Sequence, residues 1–379
     1  MTAQILQDVD EKASYREAVQ AVREKCSILD ASSPIKIPLE KAIRTAVTRL
    51  ETLPANGLGW GGWRPPLLAL VDVFTPDELL TFDADCRRIA EQSAGTAWGW
   101  LDEDSPDKWN EWHGQLFDLS LKARLLDECP TVDLDKKVAS GRDVDISVDL
   151  STRPVRIEAT AHCESREQQG IERRWMDKKK SRPDLVLVQP GPFDPTDAAG
   201  NSIAREPLPA YSCIRVYLKV YEKVAKNLNP NATQFDGTVP TILAINLPRG
   251  GNRARRGAEM AIEELFSKWR NSSHRNKKNA TSTDIDDALV GWLDHRATEL
   301  VRQNQLQWDR YLQSRTQLLM APAKISAIVV FERYDFSFAR MNYNALPSCM
   351  LTHAEMAELD ELLATPPPTW TRRMTIGPE

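Results

Sequence analysis

The residues best placed to do chemistry lie on one short segment, 142–161, which reads RDVDISVDLSTRPVRIEATA. Apolar and polar side chains alternate along both halves, the period of a strand with two different faces. A tight turn centred on Ser151-Thr152 would make the segment a β-hairpin. Val144 would then face Ala159, Ile146 would face Ile157, and Val148 would face Val155, so every pair on that side is apolar. The other side pairs Asp143 with Thr160, Asp145 with Glu158, Ser147 with Arg156 and Asp149 with Pro154. A slip of one residue would mix the two faces, so polarity selects this register. Ser-Thr is a poor two-residue turn, which favours a four-residue loop in the same register.

Opposed Cβ atoms in such a ladder lie about 4.5–5.5 Å apart. Asp145 and Glu158 would therefore bring two carboxylates together, and like charges at that range repel unless a cation or a proton joins them. Hard oxygen ligands with room for water suit Mg²⁺, or Mn²⁺ in its place. Asp143, on the same face, is a further candidate ligand. The competing reading is a solvated hairpin face, on which Asp149 and Arg156 would be equally at home.

Several elements must position this hairpin. Residues 1–52 carry helical periodicity over Tyr15 to Val22 and Ile37 to Leu50. Thr75-Pro76-Asp77-Glu78 reads as a capped helix start, for a helix reaching about Ala94. Residues 106–128 form an amphipathic helix, and further helices are expected at 211–228, 257–270 and 284–318. Strands are expected at 131–134, 142–150, 154–161, 184–189, 240–247 and 324–332. This mixture predicts an α/β (α+β) fold. The expected organisation is a helical N-terminal region, 1–104, an α/β domain, 105–360, and a flexible tail, 361–379.

Composition narrows the function. The 379 residues suffice for a large core with an accessory region. Six scattered cysteines argue against a zinc cluster or a disulfide framework and suit a reducing cytosol. The N-terminal stretch does not read as a signal peptide, and no apolar run is long enough to span a membrane, so a cytoplasmic protein is expected. GLGWGG at 57–62 has the glycine spacing of a phosphate-cradling loop, but Trp60, Trp63 and the Pro65-Pro66 that follow disagree with such a loop leading into a helix. No Walker loop, GxSxG or HExxH motif occurs, which leaves little support for an unrelated nucleotide-binding or hydrolase fold.

The order of helix 106–128, an Asp-bearing strand, a Glu-X-X strand, a second helix and strand 240–247 resembles the PD-(D/E)XK nuclease superfamily. The resemblance covers roughly residues 105–250. It implies a restriction-endonuclease-like mixed β-sheet flanked by helices. It also implies a metal held by Asp145, Glu158 and the Ala159 backbone carbonyl, and phosphodiester hydrolysis in DNA in a restriction or phage-defence setting. The family's lysine is Thr160 here, a side chain that could position water but carries no charge. Lys219 and Lys223, one turn apart on helix 211–228, could supply the missing cation, with Lys223 preferred. Glu111, on the preceding helix, is either a second ion's ligand or a surface residue. His162 could assist proton transfer. A relative that has lost catalysis and keeps the fold to bind nucleic acid or a protein partner is the alternative.

Net charge is −5, so contact with a polyanion must come from local patches. Residues 171–182 hold six Lys/Arg against two acids, among them Arg173, Arg174, Lys178 and Lys179. Residues 249–278 hold nine against three, and RGGNRARR, with Arg253, Arg255 and Arg256, reads as a basic loop. Such patches could contact phosphates without reading sequence. Solvated loops are the alternative, and a homodimer stays open.

Overall fold

The computed structural model describes residues 2–52, 66–93, 109–129, 131–137, 143–161, 223, 235, 237–247, 252–271, 287–302, 307–332, 336–344 and 349–371. The fold is mixed α/β. A six-stranded sheet runs β1 (Val132–Lys137), β2 (Asp143–Asp149), β3 (Pro154–Ala161), β4 (Thr241–Leu247), β5 (Ala327–Glu332) and β6 (Ser337–Tyr343), in that spatial order. β1, β2 and β3 form an antiparallel meander; β4 lies parallel to β3, and β5 parallel to β4. β6 returns antiparallel at the far edge.

The hairpin register is the one polarity selects: Ile146 pairs with Ile157, Ser147 with Arg156, Val148 with Val155 and Asp149 with Pro154. Residues 150–153 link the strands, and the Leu150 N–H donates to the Arg153 carbonyl at 3.1 Å. This tip is held from outside. Glu355 accepts from Arg153 Nε at 2.8 Å and from the Thr152 hydroxyl, and Glu358 accepts from the Ser151 N–H at 3.0 Å.

Among the described residues, α1 (Thr2–Cys26), α2 (Lys36–Thr52), α3 (Pro66–Val73) and α4 (Pro76–Gln92) come first along the chain. Thr75 and Glu78 form the expected reciprocal cap of α4. α5 (Trp109–Glu128) lies on the face that carries Ala159 and Ala161, and comes close enough that a Cβ on Gly114 would stand 3.7 Å from the Ala161 Cβ. α6 (Asn252–Asn271), α7 (Asp287–Arg302) and α8 (Trp308–Lys324) follow β4, and α9 (His353–Ala364) follows β6.

Two apolar clusters sandwich the sheet. One joins α1 to α5, the Ile146–Ile157–Ile242–Val329 face, α9 and Trp370. The other joins Leu243, Ile245, Ile328 and Val330 to Ala261, Ile262 and Leu265 of α6. β4 and β5 are buried on both faces, which explains the continuous apolar runs 242–245 and 327–331.

Some expectations are corrected. The expected helix 284–318 is described as α7, ending at Arg302, and α8, beginning at Trp308 after the non-helical Gln307. Arg253, Arg255 and Arg256 do not form a loop: α6 begins at Asn252, because good helix formers follow directly on the Gly250-Gly251 pair. The expected flexible tail is ordered over 361–371. α9 runs to Ala364, and the fully buried Trp370 packs edge-on against Phe82 and donates to Asp85 at 2.8 Å. Strand 184–189 and, apart from Lys223, helix 211–228 lie outside the described residues.

Candidate functional site

The β2–β3 ladder ends at Ile146–Ile157, before reaching Asp145 and Glu158. From there β2 continues with β1 alone, and β3 with β4. The expected backbone pairs Val144–Ala159, Asp145–Glu158 and Asp143–Thr160 are therefore absent from the ladder. Side chains take over where it opens. The Ala159 N–H donates to Asp145 Oδ2 at 2.8 Å, and the Asp145 N–H donates to Glu158 Oε1 at 3.4 Å. β1 breaks at the matching place. Asp135 stands between the Leu134–Ile146 and Lys136–Val144 pairs with φ 49°, a conformation aspartate tolerates better than most residues. Its side chain accepts from Lys122 at 2.9 Å and from the Ser93 hydroxyl.

Into this opening comes Lys223, a helical residue from between β3 and β4. Its Nζ donates to Glu158 Oε2 at 3.0 Å and lies 3.7 Å from Asp145 Oδ2. The Glu158 side chain is 0% exposed, and those of Asp145 and Lys223 are 26% and 20% exposed. A solvated hairpin face does not describe Glu158. β4 lies beside β3 and presents Leu243 and Ile245 next to Glu158 and Thr160, and those two residues share an apolar cluster with Ala261, Ile262 and Leu265 of α6 on this side of the sheet.

The electrostatics follow from that burial. Desolvation, reinforced by the Asp145 charge, pushes Glu158 up to about 8, against the pull of Lys223. Burial also opposes the Lys223 charge, but Asp145 and Glu158 outweigh it and hold the ammonium above its ordinary value. One ammonium thus faces two carboxylates, and burial beside the Asp145 charge pushes the Glu158 carboxyl toward its protonated form.

Asp118, on α5, joins this field. Burial, with the Asp145 charge contributing, raises it to about 6, despite its 2.9 Å ion pair with Lys122. Its Oδ1 is buried with no hydrogen-bond partner among the described residues. Sequence reasoning missed Asp118 and named Glu111 instead. The two are seven residues apart on α5, hence on one side of the helix, and that spacing was the available signal.

Asp143 is exposed at the start of β2, beyond the opening, and pairs with Lys137. Thr160 is half-buried on the Glu158 face, opposite Ile245. Ala159 offers its N–H to the site. Arg173, Arg174, Lys178, Lys179, His162 and Lys219 lie outside the described residues.

Among the described residues no group of three or more His, Cys, Asp or Glu side chains is arranged to hold a metal ion. Two carboxylates do suit Mg²⁺, which keeps much of its water and commonly takes only one or two from a protein. An ammonium already bridges the pair, as a small cation would, and Asp118 adds an orphaned buried oxygen nearby. The donor chemistry fits a hard divalent cation. Also among the described residues, no helix is long and apolar enough to cross a membrane.

No family model, curated protein or solved structure matches this chain.

Proposed function

We propose that the chain is a Mg²⁺- or Mn²⁺-dependent nuclease of the PD-(D/E)XK type, hydrolysing phosphodiester bonds in DNA. The observation that carries this reading is the convergence of Asp145, Glu158 and Lys223 where the β2–β3 ladder opens. The order helix α5, antiparallel β1–β2–β3, a helical residue, then β4 parallel to β3 resembles the order expected of a restriction-endonuclease-like fold, and this supports the reading. The lysine absent at Thr160 has a functional counterpart in Lys223, and this weakens the case for a catalytically inactive relative.

Asp145 and Glu158 would hold the cation. When bound, it would make a nucleophile from water and neutralise charge on the phosphate. Lys223 is suited to orient that water and to face the phosphoryl oxygens with a fixed positive charge. Thr160 offers a hydroxyl on the same face. Water adds to phosphorus, the bond to the leaving oxygen breaks, and a proton passes to that oxygen. The first turns of α6, with Arg253, Arg255 and Arg256, offer positive charge for the nucleic-acid backbone.

Plasmid and single-stranded DNA, incubated with Mg²⁺ or Mn²⁺, test this. Cleavage is expected to fall by about 10²-fold or more in Asp145→Ala, Glu158→Ala and Lys223→Met. DNA binding without cleavage by the wild type, or undiminished cleavage by Glu158→Ala, would overturn it.

A further inference from the structure

We propose that Lys223 is the resident counter-ion of this site, and that a divalent cation enters by displacing its ammonium from Glu158. The proposal rests on the reading of Asp145 and Glu158 as a cation site, and goes beyond it by assigning Lys223 a second, opposing role.

The geometry leaves little room for both charges. Lys223 Nζ touches Glu158 Oε2 and lies near Asp145 Oδ2, so it sits in the gap between the two carboxylates. A Mg²⁺ ion bound to both would lie about 2.1 Å from each oxygen, in that same gap. The other Glu158 oxygen, Oε1, already faces the Asp145 N–H at 3.4 Å, and the side chain is buried from solvent, so Oε2 is the oxygen the ammonium and a cation would share. Two cations on one carboxylate oxygen, in surroundings that screen poorly, repel strongly.

The lysine has somewhere to go. Its side chain keeps some exposure, and a four-carbon stem lets the head move while the backbone stays. Asp145 and Glu158 are held by the backbone amides of the opening, so they remain in position when it leaves. Displacement turns an ammonium engaged with the protein's own carboxylates into one available to an anionic substrate. Cation loading and readiness for a phosphate thus become one event, and cation affinity is lower than the two carboxylates alone would give.

Mn²⁺ binding, followed by calorimetry, tests the proposal on the full chain. Lys223→Met is expected to bind Mn²⁺ about tenfold or more tightly than wild type, and Lys223→Gln similarly. Glu158→Gln should abolish binding in either background. A second readout needs no variant: acetylation of Lys223 by an amine-reactive ester, followed by mass spectrometry of wild type, should speed up severalfold on adding Mn²⁺. Wild type that binds Mn²⁺ while Lys223→Met and Lys223→Gln bind it equally or more weakly overturns the displacement and leaves the cation site standing. An acetylation rate unmoved by saturating Mn²⁺ overturns it too. Absence of Mn²⁺ binding in every variant overturns both the site and the displacement.

Discussion

Glu158 controls the pH behaviour of the site. Folded, it releases its proton at about 8; its ordinary value is 4.5. Between those limits the unfolded chain is ionised there while the native carboxyl keeps its proton. The native state therefore binds more protons, and stability falls as pH rises from about 4.5 to about 8. Glu158→Gln removes this dependence. Its melting temperature should gain on wild type across that window by about 2 °C or more, flattening above pH 8. A difference constant from pH 5 to 8.5 would show that Glu158 is ionised throughout. A slope persisting in the variant below pH 6 belongs to Asp118, which is raised in the same direction.

At the scale of elements, a buried arginine clamps α5 to the far edge of the sheet. Arg124 of α5 is 2% exposed. It donates to the Phe336 carbonyl at 2.9 Å and the Leu363 carbonyl at 3.0 Å, and its guanidinium lies 5.4 Å from the Phe331 ring centre. One side chain thus joins α5, the β5–β6 connection and the end of α9. Phe336 has φ 55°, a costly conformation for a bulky residue, held by that bond and by its ring's packing on Phe117, with centres 5.5 Å apart. Arg124→Met would strand two buried carbonyls while keeping most of the volume. It should cost about 3 kcal/mol in urea unfolding. A loss under about 1 kcal/mol would mean that water or a neighbour replaces those bonds.

At the scale of the molecule, a single apolar cluster runs from Tyr15 of α1 through α4 and α5 to the sheet and Trp370. The described helices before residue 104 therefore share a core with the sheet, and this predicts one cooperative unfolding transition. Far-UV circular dichroism and tryptophan fluorescence should give coincident curves. Trp370→Ala, which vacates a fully buried site beside Phe82, should shift both together by about 3–5 kcal/mol. Two separated transitions would instead show regions 1–104 and 105–360 unfolding independently.

Local pattern was enough to determine the hairpin, its register over Ile146 to Asp149, the α4 cap and the mixed α/β class. Each rests on neighbours a few residues apart, where alternation or capping leaves one good arrangement. β6 and α9 went unread, since β6 alternates weakly and α9 carries a small apolar face. The site was only half legible. The carboxylates could be assigned to one face, but the ladder's opening, the apolar cluster of β4 and α6 beside Glu158 and the arrival of Lys223 are non-local. Lys223 is 65 residues from Glu158, and no periodicity spans that distance. Whether two carboxylates lie in water or around a buried ammonium depends on which distant segments pack beside them, and tertiary structure alone decides that.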